Sequence, residues 1–183
     1  TKDSELPVLK DGKNAPAASL SMTLFTEGRE QELRLELRDG RRSSVINGVE
    51  KKTGSALVGK FCAVIFSPEH LLLVKEGPSR RRAFLDGALC QSRPAFTRVL
   101  AHYNKALMQR NALLKDIPRH PELIDTLDVW DERLILFGTE VVQERAAFCK
   151  DLEPRAAEIY RGIAKNREEI TLSYAPFGGA ETK

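Results

Sequence analysis

Three successive arginines, Arg80, Arg81 and Arg82, are the residues whose type and spacing point most directly to chemistry. Each carries a planar, permanently charged fork that fits a phosphate group. Consecutive helix positions point about 100° apart, so the three cannot all serve one neighbour, and at least one is free for an outside anion. Ser79 is a good helix cap, which places the cations in a first turn where the helix dipole prefers anions. Backbone amides at the same helix start add to the attraction for phosphate. The competing reading is structural: Asp86 and a later acidic helix absorb two of the arginines. Lys105 and Arg110 extend this basic stretch, and Arg110 interrupts the apolar stripe of its own helix. No base-reading motif accompanies them, so any nucleic-acid contact is expected to be to backbone.

A catalytic constellation is missing. Gly54 to Lys60 reads G-S-A-L-V-G-K, a phosphate-loop pattern up to its last position, where Phe61 replaces the Ser or Thr that would hold magnesium. A working loop follows a strand and opens a helix, whereas an apolar strand-like run follows this one. The chain is therefore expected to lack ATPase activity and tight nucleotide binding by itself. His70, His102 and His120 are far apart, lack metal spacing and read as surface or packing residues. Asp128, Asp131 and Glu132 share a helix turn but have no second ligand cluster, and read as a solvated face pairing with Arg133 or the basic helix. Trp130 reads as core rather than as a base-stacking platform.

The 183 residues suffice for one domain with a core or two small lobes, and the net charge of +3 hides an asymmetry. From Pro78 to His120 there are nine Lys/Arg and two Asp, and from Pro121 to Tyr160 ten acids and four Lys/Arg. Antiparallel helices of opposite charge neutralise each other, or the basic one faces phosphate while the acidic one faces solvent or a protein. Cys62, Cys90 and Cys149 make no CxxC pair or disulfide framework, which suits a reducing compartment. With no signal-like start and no apolar run near the roughly 20 residues of a membrane span, a soluble cytoplasmic protein without membrane contact is expected.

The elements that must position these groups are legible from periodicity. Leu20, Met22 and Leu24, then Leu33, Leu35 and Leu37, alternate with polar residues and predict antiparallel strands. Glu27-Gly28, Asp39-Gly40 and Asn47-Gly48 supply the turns. Arg34, Glu36 and Arg38 read as the solvated face of that sheet. Phe61 to Phe66 is an apolar run that predicts a strand buried on both faces. Ser67, Pro68 and Glu69 then start a short helix, and Gly77-Pro78 stop it. Phe84, Leu85, Ala88 and Leu89 predict one helix, and Phe96, Leu100, Tyr103, Leu107 and Leu114 a longer one. Leu123, Leu127, Trp130, Leu134, Phe137 and Val141 form a heptad seam for antiparallel packing. Pro154 is expected to separate a last helix, Arg155 to Asn166, and Glu169 to Tyr174 to return as a strand to the sheet. The fold class is α+β: an antiparallel sheet lobe over 1–66, with a returning strand at 168–174, and a helical arm over 67–167.

The strand, F-S-P-E at Phe66 to Glu69, the helix ending in Val74-Lys75, and G-P-S-R-R-R-A-F-L-D from Gly77 to Asp86 closely resemble the middle of RecF, a family of bacterial DNA replication and repair proteins. Tyr103 with Leu107, Gln109, Arg110, Asn111, Ala112, Leu113, Leu114 and Lys115 resembles a second family segment, and Leu127 to Glu132, LDVWDE, a third. The resemblance covers most of the chain and is weakest over Lys10 to Lys60. It implies an SMC-like ABC-type ATPase head whose ATP-binding sequences lie mainly outside the matched portion. Lys2 to Leu6 then follows the phosphate-binding helix, and the chain looks like a piece of a longer protein. For the whole protein the resemblance implies slow ATP hydrolysis with Mg, ATP-dependent homodimerisation, DNA binding, and loading of RecA at gaps with RecO and RecR during replication, recombination and the SOS response. For this portion it implies DNA-backbone contact through Arg80, Arg81, Arg82, Lys105 and Arg110, docking of RecR or a second protomer, and no cofactor of its own. Two alternatives stay open. A helical interaction module without DNA contact would neutralise its own helices and expose an apolar patch, and the head of another SMC-like protein would carry a long coiled coil instead of a short arm.

Overall fold

The computed structural model describes residues 9–10, 13–14, 17–26 and 28–176. They belong to two compact units, Thr1–Cys62 and Ala63–Lys183. In the first, β1 (Leu9–Lys10) pairs with β2 (Lys13–Asn14), and β3 (Ala17–Thr26), β4 (Arg29–Arg38), β5 (Arg41–Ile46) and β6 (Val49–Lys51) form an antiparallel meander in sequence order. The period-two pattern sets its register. Leu33, Leu35 and Leu37 lie opposite Met22, Leu20 and Ala18 on one side and Ile46, Ser44 and Arg42 on the other. Leu33 and Leu37 are buried. The other face carries Arg34 paired with Glu32 at 2.9 Å and Arg38 with Glu36 at 3.3 Å.

Asp39, Gly40, Asn47 and Gly48 all have positive φ, as two-residue turns that match strand twist require. Asn47 anchors the second turn: its Oδ1 accepts from the Glu32 amide at 2.8 Å, and its own amide donates to the Glu32 carbonyl at 2.9 Å. The segment after β6 folds as a 3-10 turn, Gly54–Leu57, against the apolar face. Ser44 Oγ donates to the Thr53 carbonyl at 2.9 Å, and a Cβ on Gly54 would lie 3.2 Å from Leu35 Cδ1. Gly54 to Lys60 thus takes turn geometry, with the Lys60 amide donating to the Leu57 carbonyl at 3.0 Å, and opens no helix.

The second unit is helical: a 3-10 turn at Pro68–Leu71, α1 (Leu72–Lys75), α2 (Pro78–Ser92), α3 (Pro94–Asp116), a 3-10 turn at Pro121–Thr126 and α4 (Leu127–Ile163). Pro78 and Pro94 open α2 and α3, where a missing N–H costs nothing. Leu89, Phe96 and Val141 form the buried centre, packed by Leu85, Val99, Leu100, Tyr103 and Phe148. α3 and α4 pack closely because Gly138 faces the Tyr103 ring, which a Cβ there would approach to 3.4 Å. The chain is thus α+β, an antiparallel sheet with a helical hairpin, as its periodicities predict.

Gly77, not Ser79, occupies the N-cap of α2, with no side-chain cap bond, and three further expectations need correction. Residues 62–67 form no strand, and Val64, Ile65 and Phe66 are exposed by 72% or more. A strand exists only through a ladder to a neighbouring strand, and no described residue supplies one; the Ala63 amide instead donates to Gln91 Oε1 at 2.8 Å. The returning strand expected at 168–174 is likewise absent. Its Leu172 amide donates to Glu153 Oε1 at 3.4 Å. Finally, Pro154 sits inside α4 without ending it. Proline removes one ladder bond, and the helix runs on past it to Ile163.

Candidate nucleic-acid interface

The arginine triplet opens α2, one turn after α1 ends. Arg80 Nε binds Glu76 Oε2 at 2.6 Å, an i,i+4 pair. Arg81 donates through one guanidinium nitrogen to the carbonyls of Leu73 and Glu76 at 3.2 and 3.1 Å. Cations that suit the start of α2 poorly therefore suit the end of α1 well, because unpaired carbonyls concentrate there. Arg82 is exposed and has no acidic partner among the described residues. The sequence signal for this division was Glu76 itself, four residues before Arg80 and at the C-cap of α1.

The rest of the basic stretch divides in the same way. Arg93 reaches from the α2–α3 junction to Glu144 at 2.6 Å and Asp151 at 3.2 Å on α4. Arg110, on α3, is paired with Asp131 on α4, whose hydrogen bond and charge hold the guanidinium above its ordinary pKa. Lys105 is exposed on α3 with no partner among the described residues. Arg98, which periodicity alone did not single out, shares that state. The two lie seven residues apart, on one helix face and about 10 Å apart along the axis.

Asp86 takes neither Arg80, Arg81 nor Arg82. It accepts two 2.7 Å bonds from Arg145 of α4, in an ion pair whose side chains are 9% and 17% exposed. Burial pulls the Arg145 guanidinium down, but the bonds and charges of Asp86 and Tyr174 more than offset this and leave it raised. The acidic segment thus neutralises Arg93 and Arg110 of the basic one, Asp86 and Arg145 pair the minority charges of the two, and part of the basic charge stays outward.

The remaining candidates resolve into packing. His70 lies between the rings of Phe66 and Phe84, with centroids 6.4 and 6.1 Å away, and its Nδ1 accepts from the Ser67 amide at 3.2 Å. His102 stacks on Phe137 at 5.0 Å, and His120 Nδ1 meets Glu122 at 3.3 Å. Trp130 is half-buried, with the Arg133 guanidinium 5.1 Å from its ring centroid. No three of His, Cys, Asp and Glu cluster as metal ligands among the described residues. Cys90 and Cys149 are free thiols, and burial pushes the Cys149 thiol up. No helix among the described residues is long and apolar enough to cross a membrane.

The antiparallel sheet and the paired helices define a class with solved members. A structure described as the recombination mediator protein RecF with ATPγS in the RecFOR pathway superposes with a TM-score of 0.79 and 29% identity, over 90% of this chain and 44% of that one. A second, RecF with ATP, gives 0.70 and 31% over 74% of this chain and 37% of that one. Among curated proteins, the DNA replication and repair protein RecF of Agathobacter rectalis is 40% identical over 155 residues, 83% of this chain and 43% of that protein. RecF of Acetivibrio thermocellus is 36% identical over 179 residues, 96% of this chain and 47% of its own length. The chain is a homologue of RecF over most of its length, and it spans less than half of those relatives. No family model matches it.

Proposed function

We propose that the chain is the central portion of a RecF-like recombinational repair protein and contributes DNA-backbone contact and protein docking to it. In the longer protein, parts beyond this portion bind ATP with Mg, drive an ATP-dependent homodimer and help load RecA at gaps together with RecO and RecR in the cytoplasm. The observation that carries the DNA half is the outward basic set: Arg82, Arg98 and Lys105 are exposed and unpaired among the described residues, while Arg93 and Arg110 are held by α4. Arg80 and Arg81 adjoin Arg82 and are themselves exposed while bonded to Glu76 and the end of α1. Flexible, unshared cations meeting phosphate give affinity without sequence preference.

The test replaces Arg82, Arg98 and Lys105 together by Gln and measures duplex and single-strand DNA binding at two salt concentrations. Affinity should fall similarly for all sequences, and the log–log salt slope should shrink by roughly 0.7–0.9 per lost contact. An unchanged slope, with the fold intact, refutes the DNA half of the proposal.

A further inference from the structure

We propose that the outward stripe of α4 built by Val129, Glu132, Leu136 and Glu140 docks a basic amphipathic helix of a protein partner. The proposal deepens the docking half of the reading above and rests on it, but it is independent of the DNA half. The four positions fall within about 80° of one another around the helix, opposite the side that packs Gly138 and Val141 against α3. Val129 is 51% and Leu136 64% exposed, and Ile135 beside them 69%. Polar solvent has no use for such a line of aliphatic residues. Val129 and Leu136 lie one heptad apart, which is the repeat by which one helix receives the side chains of another.

Charge selects the occupant. Asp128, Glu132 and Glu140 are exposed and have no cationic partner among the described residues. Their neighbours on the inward side, Asp131 and Glu144, are taken by Arg110 and Arg93. The cation on this face, Arg133, lies over the Trp130 ring. Three unneutralised carboxylates around an aliphatic line repel nucleic-acid phosphate. They equally disfavour a second copy of the same stripe, which would oppose Glu132 and Glu140 to themselves. A helix with two aliphatic residues a heptad apart and Lys or Arg between and beside them satisfies both features, its cation meeting Glu132 as the seam closes.

The probe is a display library of one helical scaffold, randomised over its exposed face and selected on the 183-residue chain. Enriched helices should carry Leu or Ile a heptad apart flanked by Lys and Arg. They should bind at least tenfold more weakly to a Val129→Ser, Leu136→Ser double variant, whose exposed changes leave the circular-dichroism melt in place. A Glu132→Lys, Glu140→Lys variant should lose them and accept charge-reversed versions. Enrichment without basic bias, equal binding to the serine variant, or no enrichment overturns the proposal, as does self-association of the chain that the serine variant abolishes. RecR binding measured on the same variants separates the two levels. If RecR binds the chain and the serine variant alike while no helix is selected, this stripe is wrong and docking elsewhere stands; if RecR binds neither, the docking reading loses its support.

Discussion

A charged residue means different things according to what lies one helix turn away. Arg145 and Asp86 form the buried, bidentate tie between α4 and α2. Replacing Arg145 by Met leaves Asp86 desolvated and unpaired, and should cost about 3–5 kcal/mol by chemical denaturation. Asp86→Leu with Arg145→Met together should cost clearly less, and a double variant as unstable as the single one would show that packing, not charge pairing, sets the loss. The thiols should rank by burial as well. Exposed Cys62 should alkylate first and Cys149 only on unfolding. Because burial raises the Cys149 thiol in the folded chain, the unfolded thiol ionises first as pH climbs. Stability should therefore be undisturbed by this group below the ordinary thiol range and fall as pH rises through and above it. Comparing melts of Cys149 and a Cys149→Ala variant between neutral and alkaline pH checks the sign.

Among the elements, strands β3 to β5 and helices α3 and α4 were legible because each has a periodic face, and α2 because of its local punctuation. Leu33 to Leu37 in steps of two, Asn47-Gly48, and Pro78 and Pro94 each specify their structure within a few residues. The clearest failure turns on an interaction that is not local. Phe61 to Phe66 has the composition of a central strand, but a strand exists only through its ladders. Pro154 has the composition of a break, but the loss of one ladder bond does not end α4, which runs on to Ile163. The arginine triplet was legible as an anomaly, and its resolution lay in the end of α1. The heptad seam was readable too, though Trp130 sits at its half-exposed end under Arg133. Trp130→Ala should thus cost about 1–3 kcal/mol, short of the loss for a fully buried indole. Phe96→Ala, at the centre of the same hairpin, should cost about 3–5 kcal/mol. A larger loss at Trp130 than at Phe96 would invert this picture of where the hairpin is held.

At the scale of the molecule, exposed apolar chain between regular elements records interactions that the described residues do not make. Val64 is fully exposed and Phe66 85% exposed, directly before the turn that leads into α1. Burying such side chains stabilises by roughly 1.5–3 kcal/mol each, so leaving them in water is a lost opportunity. The relatives are more than twice as long as the part of them this chain spans, which leaves room for partner strands in a protein of their length. If Cys62 to Phe66 is strand-forming sequence awaiting neighbours, its amides should exchange with solvent near intrinsic rates in the 183-residue chain. Covalent extension to the relatives' length should then slow those amides by several orders of magnitude, to the level of β4. Exchange that stays fast in the longer protein would make this segment a true linker, and the apolar run would need another explanation. Amides of Leu89 and Val141 provide the internal standard, since both residues lie in the buried cluster of the helical hairpin.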